Sequence, residues 1–238
     1  MRTLLLLLSI ALSASQALAY PYQVIIIRHG EKPADDNATE LAPQGCARAL
    51  SLPQFFKTNT TVNPPNNPIA AIYSVQPGAD DESLRPQETI APTAIALQLQ
   101  IHTHSETDFA GTVNEIMNQK EYDGKTVILS WEHKNIPPLA AAFGLTLPAQ
   151  AQTWPGHVFD EAWVIRFSGP KQVSDFQIIP ENVLLTDNPK GGLDHWGKKA
   201  DKNDCYTDQP ILLNLCSDNN DIEALRRIAL QPATPNPN

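Results

Sequence analysis

Short runs of β-branched and other apolar residues alternate with segments of helical spacing, and this alternation constrains the fold more than any other feature of the chain. The first run, residues 23–27, has the composition of a strand buried on both faces of a sheet. A helical segment follows at residues 43–56 and begins with Pro43, which suits the first turn of a helix. Repetition of this order indicates right-handed crossovers between parallel strands. We therefore expect an α/β protein, a three-layer α/β/α sandwich with a mainly parallel central sheet.

The remaining segments continue the same order. Strands are predicted at residues 69–73, 126–131, 162–167 and 176–179, and helices at residues 86–99, 111–119 and 136–143. Pro92 predicts a kink in the second helix, and one of the last two strands is expected to be antiparallel. No element is predicted for residues 186–204, and long loops of this kind are often lids or binding loops.

The first nineteen residues have the pattern of a signal peptide. Arg2 precedes a short apolar stretch, and Ala17-Leu18-Ala19 has the small residues of a cleavage site. The apolar stretch is too short to span a bilayer, so no stable membrane insertion is expected. We predict cleavage near Ala19 with secretion or periplasmic export, one catalytic domain over residues 20–230, and a disordered tail over residues 231–238.

Export also bears on the three cysteines, because disulfides persist outside the cytoplasm. Cys205 and Cys216 are close in sequence within a loop-rich region, and we predict a disulfide bond between them. Cys46 would then be left over and buried.

The formal net charge of -9 offers no basic field, which argues against nucleic acid as a partner. Any phosphate site must therefore be a local cluster of cations.

Such a cluster is predicted where strands end. Arg28 and His29 directly follow the first strand, Glu132 and His133 follow the strand at residues 126–131, and Arg85 opens the second helix. Ligands of open α/β sheets bind beyond the carboxyl ends of the strands. Two guanidinium groups stabilise the charge of a phosphoryl group in transfer, and a neutral imidazole can attack phosphorus. The arrangement favours phosphoryl transfer without a metal or another cofactor.

Residues 24–33, VIIIRHGEKP, resemble the strand and Arg-His-Gly signature of the histidine phosphatase, or phosphoglycerate mutase-like, superfamily, in the Arg-His-Gly-Glu-Lys form of a secreted protein. Residues 41–50 are similar to its next helix, Ser83, Arg85 and Thr89 resemble its second arginine motif, and residues 127–133 resemble the strand before its second histidine. The resemblance implies a phosphoglycerate mutase-like fold. It also implies His29 as the phosphorylated nucleophile, with Arg28, Arg85 and His133 binding the phosphate. Lys134 stands where acid phosphatases and phytases of the superfamily carry Asp, which argues against a phytase.

The resemblance also implies a carboxylate that protonates the leaving oxygen. In the mutase-like branch this acid lies after the second-arginine helix, a segment that here contains Glu106 and Asp108. Glu132 is the rival because it adjoins His133, although alternation along a strand would point the two side chains to opposite faces. We favour Glu106.

His102 and His104 suggest a metal site, but no third ligand has matching spacing, so we interpret them as exposed residues at a strand end.

Together these features predict a metal-independent phosphatase that hydrolyses small-molecule phosphate monoesters through a phosphohistidine on His29. One alternative is a protein that keeps the pocket and binds a phosphate ligand without turnover. Another is a phosphatase acting on phosphoanhydrides or phosphoproteins. Export argues against a glycolytic mutase, whose substrates are cytoplasmic.

Overall fold

The computed structural model describes residues 19–33, 38–78 and 83–184, which form a six-stranded sheet with helices on both faces. The strands are β1 (Gln23–Arg28), β2 (Ile69–Val75), β3 (Ile101–His104), β4 (Thr126–Trp131), β5 (Glu161–Gly169) and β6 (Gln172–Pro180). The helices are α1 (Pro43–Thr58), α2 (Arg85–Leu97), α3 (Phe109–Asn118) and α4 (Ile136–Ala142), with single 3-10 turns at Lys120–Tyr122, His133–Asn135 and Ala149–Ala151.

The strand order is β3-β2-β4-β1-β5-β6. β1, β2, β3 and β4 pair in parallel, β5 is antiparallel to β1, and β6 is antiparallel to β5. Arg28 pairs with Trp131 at the last position of the β1–β4 ladder. The backbone N–H of His29 extends this ladder by donating to the Trp131 carbonyl at 3.0 Å. This register places the residues that follow β1 beside those that follow β4.

Two apolar clusters cover the two faces of the sheet. Ile25 and Ile27 point to the face packed by α1 and α2, whereas Val24 and Ile26 point to the face packed by α3 and α4. Because β1 lies inside the sheet between both layers, all six of its residues are buried. The predicted three-layer sandwich with a mainly parallel sheet is confirmed, and so is the prediction of a late antiparallel strand.

The short strand β3 was not among the predicted strands. It lies at the edge of the sheet next to β2, and Ile101 is its only buried residue. Edge strands expose one side to solvent, so β3 lacks the apolar run by which the central strands were found. Pro92 lies inside α2, and the helix continues beyond it to Leu97.

Several predictions fall outside the described residues: the signal peptide, the tail, the loop at residues 186–204, and the pair Cys205 and Cys216. The domain limits and the disulfide bond therefore stay predictions. Cys46 lies half-buried on α1, so the expectation that it is buried is wrong. Among the described helices, none has the length and apolar character needed to cross a membrane.

Candidate active site

The loop after β1 carries His29 and packs against the start of α1. A Cβ atom at Gly30 would lie 2.8 Å from the backbone oxygen of Gly45, and one at Gly45 would lie 2.4 Å from the backbone oxygen of Glu31. Contacts this short leave no room for a side chain, so glycine at both positions allows the helix to approach the loop. The backbone N–H of Ala42 also donates to the Glu31 carbonyl at 2.9 Å.

The imidazole of His29 is held in one orientation. Only 2 % of the residue is exposed, and Nδ1 lies 2.7 Å from the carbonyl oxygen of Gly30. A carbonyl oxygen only accepts hydrogen bonds, so Nδ1 carries the proton and Nε2 keeps its lone pair. Burial lowers the pKa of His29 from its ordinary 6.5 to about 3, with the charges of Arg28 and Arg85 acting in the same direction. His29 is therefore neutral at physiological pH, as a nucleophile requires.

Arg28 is fixed by a loop far away in sequence. Its Nη1 donates to the carbonyl oxygens of Gly156 at 2.9 Å and Val158 at 2.8 Å, and its guanidinium carbon lies 3.6 Å from the centre of the Phe159 ring. Burial lowers the pKa of Arg28 to about 10, so the side chain remains charged at neutral pH. Its Nε is buried and has no hydrogen-bond partner among the described residues.

Arg85 is the first residue of α2 and is tied to the same loop as His29. Its Nη1 donates to the carbonyl oxygen of Ala38 at 2.6 Å, while its Nε is buried without a hydrogen-bond partner among the described residues. Thr89, one turn later, accepts from the backbone N–H of Gly30 at 2.7 Å and donates to the Arg85 carbonyl at 2.7 Å. The Thr89 hydroxyl thus joins the helix that carries Arg85 to the loop that carries His29.

Glu132 and His133 lie close together at the end of β4. The strand ends at Trp131, and the Glu132 carboxylate accepts from the backbone N–H of Lys134 at 2.8 Å, which caps the following 3-10 turn. His133 Nδ1 lies 2.7 Å from Glu132 Oε2. The expectation that strand alternation separates the two side chains is wrong, because the chain has already left the strand. Burial lowers the pKa of His133, whereas the charge of Glu132 opposes this shift.

The structure brings most of the predicted site residues together. One ligand atom from each of His29, Glu132 and His133 lies within 4.8 Å of the others. The charges of Arg28 and Arg85 both act on His29 in this neighbourhood. A buried nucleophilic nitrogen, two guanidinium groups, a second imidazole and a carboxylate therefore share one location. This set suits binding of an oxyanion and attack on its central atom.

Glu106 occupies a different position. It follows β3, its side chain is half-buried, and its backbone carbonyl accepts from the indole N–H of Trp131 at 2.9 Å. It is not part of the group formed by His29, Glu132 and His133. The role predicted for Glu106 stays a prediction.

The loop of Gly156, Val158 and Phe159 was missed by sequence reasoning. It joins α4 to β5, fixes the Arg28 guanidinium by two carbonyls and a ring, and places Phe159 edge-on to His29 at 6.2 Å between ring centroids. Backbone carbonyls act here irrespective of residue type, so no motif marks them. The neighbouring His157 is exposed.

A second polar group lies at the edge of the sheet. His104 Nε2 lies 2.8 Å from Glu115 Oε2, while its Nδ1 lies 3.5 Å from Asp108 Oδ2, so its two nitrogens face different carboxylates. Tyr73 donates to Glu115 at 2.8 Å and stacks on His102 with ring centroids 4.9 Å apart. These contacts use the side chains in pairs, and the ligand atoms do not converge on one point.

Of the known proteins compared with this chain, only solved structures match it. No family model and no curated protein matches the chain. Phosphoglycerate mutase from Plasmodium falciparum is 14% identical with a TM-score of 0.44, covering 67% of this chain and 90% of that one. Mycobacterial glucosyl-3-phosphoglycerate phosphatase in complex with inorganic phosphate is 13% identical with a TM-score of 0.41, covering 66% and 95%. At these identities and TM-scores the likeness carries no argument about activity, which has to come from the residues of this chain.

Proposed function

We propose that this protein is a metal-independent phosphatase that hydrolyses phosphate monoesters of small molecules through a phosphohistidine on His29. The observation that carries the proposal is the pair of buried Nε donors on Arg28 and Arg85, which lack hydrogen-bond partners among the described residues. A buried unpaired donor costs about 1–3 kcal/mol, and more where the group is charged. A phosphoryl group beside His29 would supply oxygen acceptors for both arginines, and their charges would stabilise the transition state.

In the first step, His29 Nε2 attacks phosphorus. The phosphorus–oxygen bond of the ester breaks, and the leaving oxygen takes a proton from the acid of the site. The Nδ1–H···O=C hydrogen bond to Gly30 keeps Nε2 directed at the substrate and stabilises the positive charge that develops on the ring. Arg28 and Arg85 hold the phosphoryl oxygens during this transfer.

In the second step, a water molecule attacks the phosphohistidine. The water loses a proton to the base of the site, the phosphorus–nitrogen bond breaks, and inorganic phosphate leaves with His29 neutral again. The same group serves as acid and then as base, because the proton donated to the alcohol is recovered from the water.

Glu132 fits this acid–base role better than Glu106. Its carboxylate lies 2.7 Å from His133 Nδ1, and both residues belong to the group around His29. A proton on the Glu132 carboxylate would lie near His29 Nε2 and so within reach of the leaving oxygen of an ester bound there. Glu106 lies outside the group formed by His29, Glu132 and His133.

The test of the function is a comparison of His29→Ala with the wild type on a panel of phosphate esters. We expect turnover to disappear while circular dichroism shows an unchanged fold. A folded His29→Ala variant with near wild-type turnover would refute the phosphohistidine. Wild type that binds vanadate but releases no phosphate from any ester would instead favour the alternative of a phosphate-binding protein.

The acid is tested by Glu132→Gln with Glu106→Gln as the matched variant. An alkyl alcohol leaves poorly and needs a proton, whereas nitrophenolate needs little help. Glu132→Gln should therefore slow alkyl phosphates by about two to four orders of magnitude and aryl phosphates far less. Glu106→Gln should change neither rate strongly. The reverse pattern would return the acid to Glu106.

Localisation belongs to the same proposal. The pattern of residues 1–19 supports export and cleavage near Ala19, which would bring the enzyme to extracellular or periplasmic phosphate esters.

A further inference from the structure

The side chains of His29, Glu132 and His133 are grouped as the ligands of a metal ion would be. Phosphoryl transfer through a phosphohistidine does not require such a grouping. One ligand atom from each residue lies within 4.8 Å of the others, and this is the only such group among the described residues. Two imidazoles and one carboxylate form a donor set that Zn²⁺ takes in proteins, with a fourth position left open. The donors are also preoriented: Gly30 holds the His29 ring with Nε2 free, and the backbone N–H of Lys134 holds the Glu132 carboxylate.

We propose that His29, Glu132 and His133 bind a borderline transition-metal dication such as Zn²⁺, and that the bound ion inhibits phosphoryl transfer. The inhibitory part rests on the proposed function, whereas the binding itself does not. Nε2 of His29 has one lone pair, so it either coordinates the ion or attacks phosphorus. The metal is therefore an inhibitor of this site and takes no part in the reaction.

Charge in the pocket sets the selectivity. Arg28 and Arg85 act on His29 and oppose any cation, so an ion that gains little from nitrogen ligands is repelled. Mg²⁺ prefers oxygen ligands and keeps its waters, whereas imidazole suits Zn²⁺ and Cu²⁺. The site should accordingly take Zn²⁺ and leave Mg²⁺ in solution.

Direct binding is the primary test, made on the exported chain by isothermal titration in phosphate-free buffer. We expect one Zn²⁺ per chain for the wild type and no binding of Mg²⁺. Glu132→Gln should weaken Zn²⁺ at least about tenfold, because changes even outside the first ligand shell cost that much. The matched control is Glu121→Gln, which changes an exposed glutamate in the 3-10 turn Lys120–Tyr122 and should leave affinity unchanged. Equal affinity for Zn²⁺ in the wild type and Glu132→Gln would overturn the proposal.

A second variant covers the case in which Glu132→Gln does not fold. His133→Gln removes a different ligand from the same group, and it should also lose at least about tenfold in affinity. A folded His133→Gln variant with wild-type affinity overturns the proposal as well.

Kinetics then separate this inference from the proposed function. Zn²⁺ should inhibit hydrolysis of an aryl phosphate, and EDTA should restore the full rate. Active enzyme that binds no Zn²⁺ overturns the metal site and leaves the phosphatase intact. Zn²⁺ bound through Glu132 in a protein without phosphatase activity leaves the metal site intact and refutes the phosphatase.

Discussion

At the residue scale, the environment of His29 favours the neutral imidazole but opposes folding in acid. Its pKa of about 3 lies below the ordinary value of 6.5, mainly because burial disfavours the charged ring. The unfolded chain therefore binds a proton below about pH 6.5 that the folded protein does not bind until about pH 3. Since the unfolded state binds more protons in this range, the stability contributed by His29 falls as the pH falls.

This linkage predicts the behaviour of His29→Gln, which has no titrating ring. Between about pH 7 and about pH 4.5, the wild type should lose about 2–3 kcal/mol of unfolding free energy more than the variant. Urea unfolding of both proteins at the two pH values measures this difference. An equal loss in both proteins would show that His29 is protonated normally in the folded state.

At the scale of elements, the site depends on how closely α1 and α2 approach the loop after β1. Gly30 and Gly45 pack backbone against backbone, and Thr89 links α2 to Gly30. Besides the hydrogen bonds of their own side chains, His29 and Arg85 are thus held by contacts between neighbouring backbone segments and through Thr89. A small displacement of α1 or α2 would therefore be transmitted directly to the side chains of His29 and Arg85.

Gly45→Ala tests this approach. The new Cβ would lie 2.4 Å from the backbone oxygen of Glu31, a backbone atom that cannot turn away. We expect a loss of about 1–3 kcal/mol in stability together with reduced activity, because the loop has to move. Gly78→Ala is the matched control, since a Cβ there meets nothing within 4 Å. Thermal unfolding and kcat/KM measure both effects, and two indistinguishable variants would contradict the close contact.

At the scale of the whole molecule, one buried ion network joins distant parts of the chain. Arg48 on α1 lies 2.7 Å from Glu31 after β1 and 2.9 Å from Glu181 after β6. The side chains of Arg48 and Glu181 are 2 % and 0 % exposed. A buried pair contributes little net stability, but removal of one partner leaves unpaired charges in the interior.

Arg48→Met should therefore destabilise the protein by about 3–5 kcal/mol at neutral pH. Adding Glu181→Gln to Arg48→Met should recover part of this loss, because one buried charge disappears. Asp175→Asn is the comparison variant: Asp175 pairs with Arg166 at 2.6 Å, but the Asp175 side chain is 42% exposed. Loss of that ion pair should cost only about 0–1 kcal/mol. Denaturant unfolding of the variants measures the contrast, and a similar cost for Arg48→Met and Asp175→Asn would show that burial of the network is unimportant.

The sequence predicts the central strands of the sheet better than its edge. The apolar run at residues 23–27 and its repetition at residues 126–131 predicted two buried strands, because burial on both faces requires continuous apolar residues. The structure then showed that these strands are neighbours in the sheet. The same logic failed for β3, whose polar residues reflect its place at the sheet edge. The placement of Arg28, His29 and His133 after strand ends followed from the strands themselves.

The sequence by itself determined the layered fold and the strand ends where Arg28, His29 and His133 lie, because periodic burial is encoded locally in residue order. Only the tertiary structure brought Glu132 to His133 and His29, since this depends on where β4 stops and the 3-10 turn begins. It also decided that Phe159 and the carbonyls of Gly156 and Val158 would fix Arg28, across 128 to 131 residues of chain. Contacts between distant segments depend on the packing of whole elements, and backbone carbonyls are the same in every residue, so neither leaves a local pattern to find.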